Sequence, residues 1–282
     1  MANSWTAAVG PLTVGTSTAA TQLDGQLIAA ASDIIVPSRA KSLLAVRPWQ
    51  TSVTPTAHQS FIASVRLASS DVAIGDYEIL APPIGASLGT NITTFADLSY
   101  WFPINLAVSG GQHIQAYGQA QIANTAAPYV GADLLWSDGP PLGPQAHFKL
   151  AGIFSGGGPT STGTSAGSVA GGTIQLNSGS KVFAWYGYAT NSTPTAVKPI
   201  TGYFTLTSPE MGAQTGLPNT HTFDISPVQG FLGTTTTGDF EYLSKAEGLS
   251  IPYTAPTTLT TSIYLDVALT AAGNFSNGVG YF

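Results

Sequence analysis

The chain has 282 residues and a formal net charge of −6, from 8 Lys plus Arg against 14 Asp plus Glu, and it contains no cysteine. Its hydrophobic share is 43% while only 8% of residues are charged, against about 25% in ordinary soluble domains. These values exclude a disulfide framework and thiolate metal sites; without a basic tract they also argue against direct binding of nucleic acid, whose affinity comes chiefly from Lys and Arg neutralising phosphates.

Disorder is excluded as well, because 12 Phe, 11 Tyr and 5 Trp need burying. Sparse charge leaves little repulsion between copies, which suits a subunit whose surface is covered by neighbours. The start Met1-Ala2-Asn3-Ser4-Trp5 lacks the basic residues and apolar run of a secretory signal, and no stretch approaches ~18 continuous apolar residues. The expectation is a protein made in a cytoplasm and not spanning a membrane. The glycosylation triplets at Asn91, Asn191 and Asn274 are accordingly read as ordinary sequence.

Residues 1–32 are rich in Ala, Thr and Gly and read as an N-terminal arm, with a short helix expected over 19–31, interrupted by Gly25. From Asp33 onward β-rich runs take over, at 34–36, 43–49, 61–67 and 77–80. Phe61, Ala63, Val65 and Leu67 share one face while Ser64 and Arg66 point to the other, the pattern of a half-buried antiparallel strand. A helical turn is expected at 95–99. Strands at 102–108 and 113–122 follow, joined by Ser109-Gly110-Gly111 as a hairpin connection, and then a strand at 129–136.

The stretch Ser137-Asp138-Gly139-Pro140-Pro141-Leu142-Gly143-Pro144 falls at the midpoint, and its three prolines and two glycines can continue neither a helix nor a central strand. It reads as a stiff joint, 139–144, between a first domain at 33–138 and a second at 145–282, each long enough to bury its own core. Beyond it come a strand at 148–154 and an exposed Gly/Ser/Thr loop at 155–172. Further strands are expected at 181–188, 203–207, 221–225, 251–253, 262–269 and 278–282. A short helix is expected at 240–247, with Asp239 as N-cap and Gly248 as stop.

The two halves repeat. Ser38-Arg39-Ala40-Lys41 returns as Ser178-Gly179-Ser180-Lys181 at an offset of 140, Thr54-Pro55-Thr56-Ala57 as Thr193-Pro194-Thr195-Ala196 at 139, and Val65-Arg66-Leu67 as Phe204-Thr205-Leu206 at 139. At 145, Phe95-Ala96-Asp97-Leu98-Ser99 matches Phe240-Glu241-Tyr242-Leu243-Ser244, and Thr125-Ala126-Ala127 matches Thr270-Ala271-Ala272. Between these anchors apolar positions coincide at every second residue, which a slip of one residue would destroy. The fold class that follows is all-β, with two tandem antiparallel sandwiches of about eight strands each.

Chemical motifs are sparse. No H-E-x-x-H, no G-x-x-x-x-G-K-S/T and no cysteine nucleophile occurs. His58, His113, His147 and His221 are scattered without metal-ligand spacing. The run Asp71-Val72-Ala73-Ile74-Gly75-Asp76-Tyr77-Glu78 lacks the alternating acids of a calcium loop and reads as a solvated turn. Trp49 and Trp185, near matching places in the repeats, read as core rather than as a sugar-stacking platform. The expectation is a protein that is not an enzyme and has no catalytic, cofactor-binding or metal-binding residues.

Tandem eight-strand-like repeats, a Pro/Gly joint, short helical turns at 95–99 and 240–247, no signal, no cysteine and few charges together resemble the double jelly-roll major capsid proteins of tailless icosahedral, often membrane-containing viruses, the lineage that includes adenovirus. The resemblance implies two eight-stranded jelly rolls and a structural role in the virion, with homotrimers packing as pseudo-hexamers in an icosahedral shell. It also implies that residues 1–32 contact neighbouring capsomers, minor capsid proteins or an inner membrane. The main alternative is a virion decoration protein or tailspike, or another non-enzymatic carbohydrate-binding pair of sandwiches with an exposed aromatic platform. A self-assembling surface filament comes third.

Overall fold

Alternating apolar and polar residues become strand almost wherever they occur, because successive side chains leave an extended chain on opposite faces. The computed structural model describes residues 2–13, 19–51, 59–82, 84–86, 93–94, 100–121, 128–152, 160–163, 166–191, 202–211, 219–224, 231–232, 240–266, 268 and 273–282. Two units divide the chain, Met1–Lys149 and Leu150–Phe282.

Unit 1 contains β1 (Ser4–Thr13), β2 (Thr21–Gln22), β3 (Ile34–Ile35), β4 (Ser42–Thr51), β5 (Gln59–Phe61), β6 (Ala63–Ala68), β7 (Glu78–Leu80), β8 (Ile84–Ala86), β9 (Thr93–Thr94), β10 (Phe102–Ala107), β11 (His113–Ala120) and β12 (Tyr129–Ser137). One sheet has the order β1-β12-β4-β10; another runs β2-β11-β6-β7, with β3 also on β11; β5, β8 and β9 form a small third sheet. Its core includes Val46, Val65, Ile104, Ile114 and Leu134, each buried.

Unit 2 contains β13 (Lys149–Ala151), β14 (Thr160–Gly163), β15 (Gly167–Leu176), β16 (Lys181–Asn191), β17 (Gly202–Thr207), β18 (Thr220–Asp224), β19 (Phe231–Leu232), β20 (Phe240–Pro252), β21 (Thr257–Leu265) and β22 (Gly273–Tyr281). Its sheets run β13-β22-β16-β20-β19, with β14 on β22, and β15-β21-β17-β18. Trp185, Phe204, Leu206, Ile263, Phe275 and Val279 from both sheets bury one another. Among the described residues, β1-β12, β12-β4, β15-β21 and β16-β20 pair antiparallel, with register shifts at bulges.

Each unit has the same nesting. Counting β1, β2, β4, β6, β7, β10, β11 and β12 as strands 1 to 8 of unit 1 gives the orders 1-8-3-6 and 2-7-4-5. The same orders result from β13, β15, β16, β17, β18, β20, β21 and β22 in unit 2. Register repeats residue by residue. Ala107 pairs with Ser42 as Pro252 pairs with Lys181, Ala120 with Ala63 as Leu265 with Gly202, and Trp136 with Leu43 as Tyr281 with Val182, always at offsets of 145 and 139. Even a loop bond recurs, since Val108 N–H donates to Lys41 O and Tyr253 N–H to Ser180 O.

Several sequence expectations need correction. No α-helix occurs among the described residues, where one 3-10 turn, Pro209–Met211, is found. In place of a helix at 19–31, Thr21 and Gln22 pair with β11 and the Asp24 carboxylate accepts the N–H groups of Gln26 and Ala29 and the Ser32 hydroxyl. A short acidic side chain that bonds its own downstream backbone competes with a helical ladder. The helix expected at 240–247 is β20. Pairing with β16 overrides local propensity, and Gly248 at φ 74° serves a register shift within β20 rather than a helix end. The turn expected at 95–99 lies outside the described residues.

Ser109-Gly110-Gly111 is no hairpin either, because β10 belongs to the β4 sheet and β11 to the β6 sheet. Alternation alone is blind to which partner a strand takes. Much of the expected loop at 155–172 is strand, in β14 and β15. The stretch read as an arm contributes β1, whose partners run from Ser4 opposite Ser137 to Thr13 opposite Tyr129.

The midpoint joint is fastened to unit 1. Asp138 accepts the backbone N–H and the side-chain amide of Asn3 at 2.7 and 2.9 Å, and Gly139 O accepts the Ser42 hydroxyl at 2.9 Å. Ala146 N–H donates to Ile104 O, and Gln145 donates to the carbonyls of Ala73 and Ile74. The segment ends in the core, where Phe148 packs edge-on against Tyr77 and Phe102. Residues 138–148 thus form a strap along unit 1, and the division between units follows Lys149.

Candidate functional site

The residues singled out from the sequence do not converge. His113 Nδ1 on β11 is 3.3 Å from an Asp33 oxygen, the His147 ring lies beside Gly75, and His221 belongs to β18 of the other unit. His58 lies outside the described residues. The carboxylates of the 71–78 turn diverge, as Asp71 accepts the His113 N–H at 2.9 Å, Asp76 pairs with Lys149 at 3.0 Å and Glu78 accepts the Ser64 hydroxyl at 2.6 Å. The bonds from His113 N–H and the Ser70 hydroxyl outweigh burial and hold Asp71 below its ordinary range. Among the described residues, no group of three or more His, Asp or Glu side chains is placed to hold a metal ion.

Gly163-Thr164-Ser165-Ala166-Gly167 spells G-x-S-x-G; Thr164 and Ser165 lie outside the described residues, and the flanking elements are the strands β14 and β15, whereas a nucleophile elbow is followed by a helix. Trp185 is core, stacked on Phe223 with centroids 4.5 Å apart and planes 5° apart. Trp49 is half-buried and lies over Gly131 on the neighbouring strand, where a Cβ would come within 2.2 Å of the indole. Asn191 and Asn274 fall within β16 and β22, and Asn91 lies outside the described residues.

Among the described residues, several basic groups are engaged within the chain. Arg39 lies over Trp5 at 4.1 Å, Arg66 over Tyr117 at 5.2 Å and Lys181 over Phe282 at 6.0 Å. Arg47 lies over Trp101 and also donates to Asp133 at 2.7 Å, and Lys245 pairs with Glu247. At exposed positions such a contact between a cation and a ring stabilises by about 0.5–1 kcal/mol.

Two exposed surfaces stand out instead. In unit 1 the Asp24-centred loop holds Leu27 at φ 58° and Ala29 at φ 60°, and presents Leu27 and Ile28, 62% and 61% exposed. Burial opposes ionisation of Asp24, but bonds from the backbone N–H groups of Ile28, Gln26 and Ala29 and from Ser32 prevail and lower its pKa. The helical reading of 19–31 missed this loop; the signal available was Asp24-Gly25 with Ser32 eight residues downstream, an acceptor and its donor.

In unit 2 the outer face of the β15-β21-β17-β18 sheet is a hydroxyl array. One rank across the strands is Thr173, Thr260, Thr207 and Thr220; the next is Ala170, Ser262, Thr205 and Thr222; the third is Ser168, Tyr264, Tyr203 and Asp224. Thr205 bonds Ser262 at 2.5 Å, Thr207 bonds Thr220 at 3.0 Å, and the Tyr203 and Tyr264 rings stack at 5.0 Å with planes 11° apart.

No protein-family model matches the chain, and no curated protein matches it. Among solved structures it is similar to a chain of the T=1 Penaeus vannamei nodavirus, at 11% identity over 96% of this chain and 98% of that one, with a TM-score of 0.20. Similarity to infectious bursal disease virus, Gx strain, covers 99% of this chain and 70% of that one at 9% identity and a TM-score of 0.27. For the Macrobrachium rosenbergii nodavirus the values are 99%, 89%, 7% and 0.20. Likenesses at TM-scores this low carry no weight for fold or function.

Proposed function

We propose that the chain is a structural capsid protein built from two tandem jelly rolls. The observation that carries this reading is the nested order 1-8-3-6 and 2-7-4-5 found in both units, which is how an eight-stranded double-sheet jelly roll is wound. Jelly rolls serve viral shells and lectins alike, so the fold by itself does not choose a function. Duplication with retained register favours the shell, because three copies of a two-unit chain offer six similar wedges while letting the two kinds of wedge differ, and closed symmetry limits growth.

In this proposal the protein acts without catalysis, in the virion, as homotrimers that pack as pseudo-hexamers of an icosahedral shell. In this proposal the first roll takes in β1 and β2 ahead of 33–138, the 139–144 segment is strapped to that roll, and the second roll lies within 145–282. The N-terminal residues 1–32 contact a neighbouring capsomer, a minor capsid protein or an inner membrane, and Leu27 and Ile28 are the exposed side chains suited to that contact. With 8 basic residues in the chain and no basic tract, genome contact is not part of its role in this proposal.

The test is expression of the full chain followed by size-exclusion chromatography and electron microscopy. Trimers that close into shells are the expected result. A protein that stays monomeric at every concentration overturns the proposal, and a stable oligomer that never closes supports a decoration protein or tailspike instead.

A further inference from the structure

We infer that the outer face of the β15-β21-β17-β18 sheet in unit 2 is a binding site for neutral saccharides, with the stacked Tyr203–Tyr264 pair as its aromatic contact. The inference stands apart from the capsid reading, since a hydroxyl-rich face binds sugar in a monomer as well as in a shell.

Charge complementarity selects the ligand. The three ranks carry one formal charge, Asp224, and no cation to attract phosphate or sulfate, so a nucleic acid or a polyanionic glycan gains nothing there. A membrane surface calls for an apolar face with basic residues, which Thr and Ser do not supply. The core of a protein partner calls for aromatic residues, Met and Arg and is depleted in Ser. What matches a neutral, flat array of hydroxyls is a neutral ligand bearing hydroxyls of its own.

Hydrogen-bonding capacity supports the same choice. A hydroxyl donates once and accepts twice, so Thr205 and Ser262, or Thr207 and Thr220, retain capacity after bonding each other. Their side chains stand on strands about 4.8 Å apart, at fixed positions and with few rotamers to lose, because Thr is stiff at χ1. Saccharide rings also have apolar C–H faces. In unit 1 the rings of Trp5, Trp101 and Tyr117 lie under Arg39, Arg47 and Arg66. Tyr203 and Tyr264 stack on each other instead, with Tyr264 39% exposed. A Tyr pair offers a ring face and a hydroxyl together.

The full chain is titrated with maltohexaose, cellohexaose and chitohexaose, with heparin as a polyanionic control, and followed by saturation-transfer NMR and calorimetry. At least one neutral probe is expected to bind in the millimolar range or tighter, and heparin not to bind. The double variant Tyr203→Ala/Tyr264→Ala is expected to weaken binding at least ~10-fold, about one power of ten in Kd. Thr222→Val, an exposed substitution that keeps the side-chain shape, is expected to weaken it less while leaving the circular dichroism unchanged; it carries the test if the double variant fails to fold. The inference is overturned if none of the neutral probes binds the folded protein at millimolar concentration, or if binding persists unchanged in the variants. It is equally overturned if the variants abolish association between copies while no saccharide binds, for the face is then a subunit contact.

Discussion

Unit 1 and unit 2 share three cross-strand pairs at equivalent register but fill them differently. Where unit 1 places Gln119 opposite Ser64, Tyr117 opposite Arg66 and Gln115 opposite Ala68, unit 2 places Tyr264 opposite Tyr203, Ser262 opposite Thr205 and Thr260 opposite Thr207. The inward residues between them, Val65 and Leu67 in one unit and Phe204 and Leu206 in the other, remain apolar and buried. Period-two geometry explains the contrast. Register binds the inner face to the core, since a slip of one would turn every apolar residue outward, whereas the outer face is answerable to whatever lies outside. Unit 1 closes its outer corner with Ser64, buried and bonded to Glu78 and Gln121, and caps Tyr117 with Arg66. Unit 2 fills the same positions with half-buried and exposed hydroxyls and a tyrosine stack.

Each unit buries a core of its own, and the largest effects should stay within one unit. Trp185→Ala removes the indole stacked in unit 2, and Phe148→Ala removes the ring that anchors the strap in unit 1; each is expected to cost about 3–5 kcal/mol of the unit that holds it. Hydrogen exchange read strand by strand checks this. Trp185→Ala should expose the amides of β16, β17 and β21 and spare β4, β6 and β11, with Phe148→Ala doing the reverse. Loss of protection in both units from either change would make them one cooperative block.

Acid should separate them next. Three carboxyls held below their ordinary 3.8, Asp24, Asp71 and Asp138, lie in unit 1. A depressed native pKa stabilises the fold fully above the ordinary value, and that contribution disappears as pH falls through the lower native value. Unit 1 is therefore expected to lose near-ultraviolet dichroism and amide protection ahead of unit 2 as pH drops below 3.8. Simultaneous loss would mean these carboxylates contribute little.

The smallest effect concerns the outer face alone. Replacing Arg66 and Tyr117 by the unit 2 pair, as Arg66→Thr/Tyr117→Ser, exchanges a cation over a ring for a hydroxyl pair, and each such pair is worth about 0.2–1 kcal/mol. A shift in urea midpoint of that size with unchanged slope is expected. A loss several times larger would show that the outer faces also help to hold the register.

Much of the strand content was legible because it rests on alternation within one segment. Residues 43–49 and 203–207 read as strands and are strands, the strand read at 113–122 is β11 at His113–Ala120, and the repeat offsets of 139 and 145 reappear as paired registers. Local punctuation was the weaker guide. Asp239 and Gly248 bracket what looks like a helix, and Gly248 instead serves a bulge in β20 because ten residues of β16 pair alongside it. The exposed surfaces were legible only as composition, since Thr and Ser at alternate positions of separate segments become an array when pairing brings those segments side by side.

By itself, then, the sequence determined an all-β chain that repeats, with inner faces set by period two and few charges to keep copies apart. Only the tertiary structure decided which strand neighbours which, that β10 and β11 part into different sheets, that residues 4–13 join a sheet, and that the midpoint proline segment is strapped to unit 1 with its last aromatic in that core. The physical reason is common to these cases. A side-chain period records which face of a segment is buried, whereas pairing partners are chosen by contacts between residues tens to hundreds of positions apart, which no local pattern encodes.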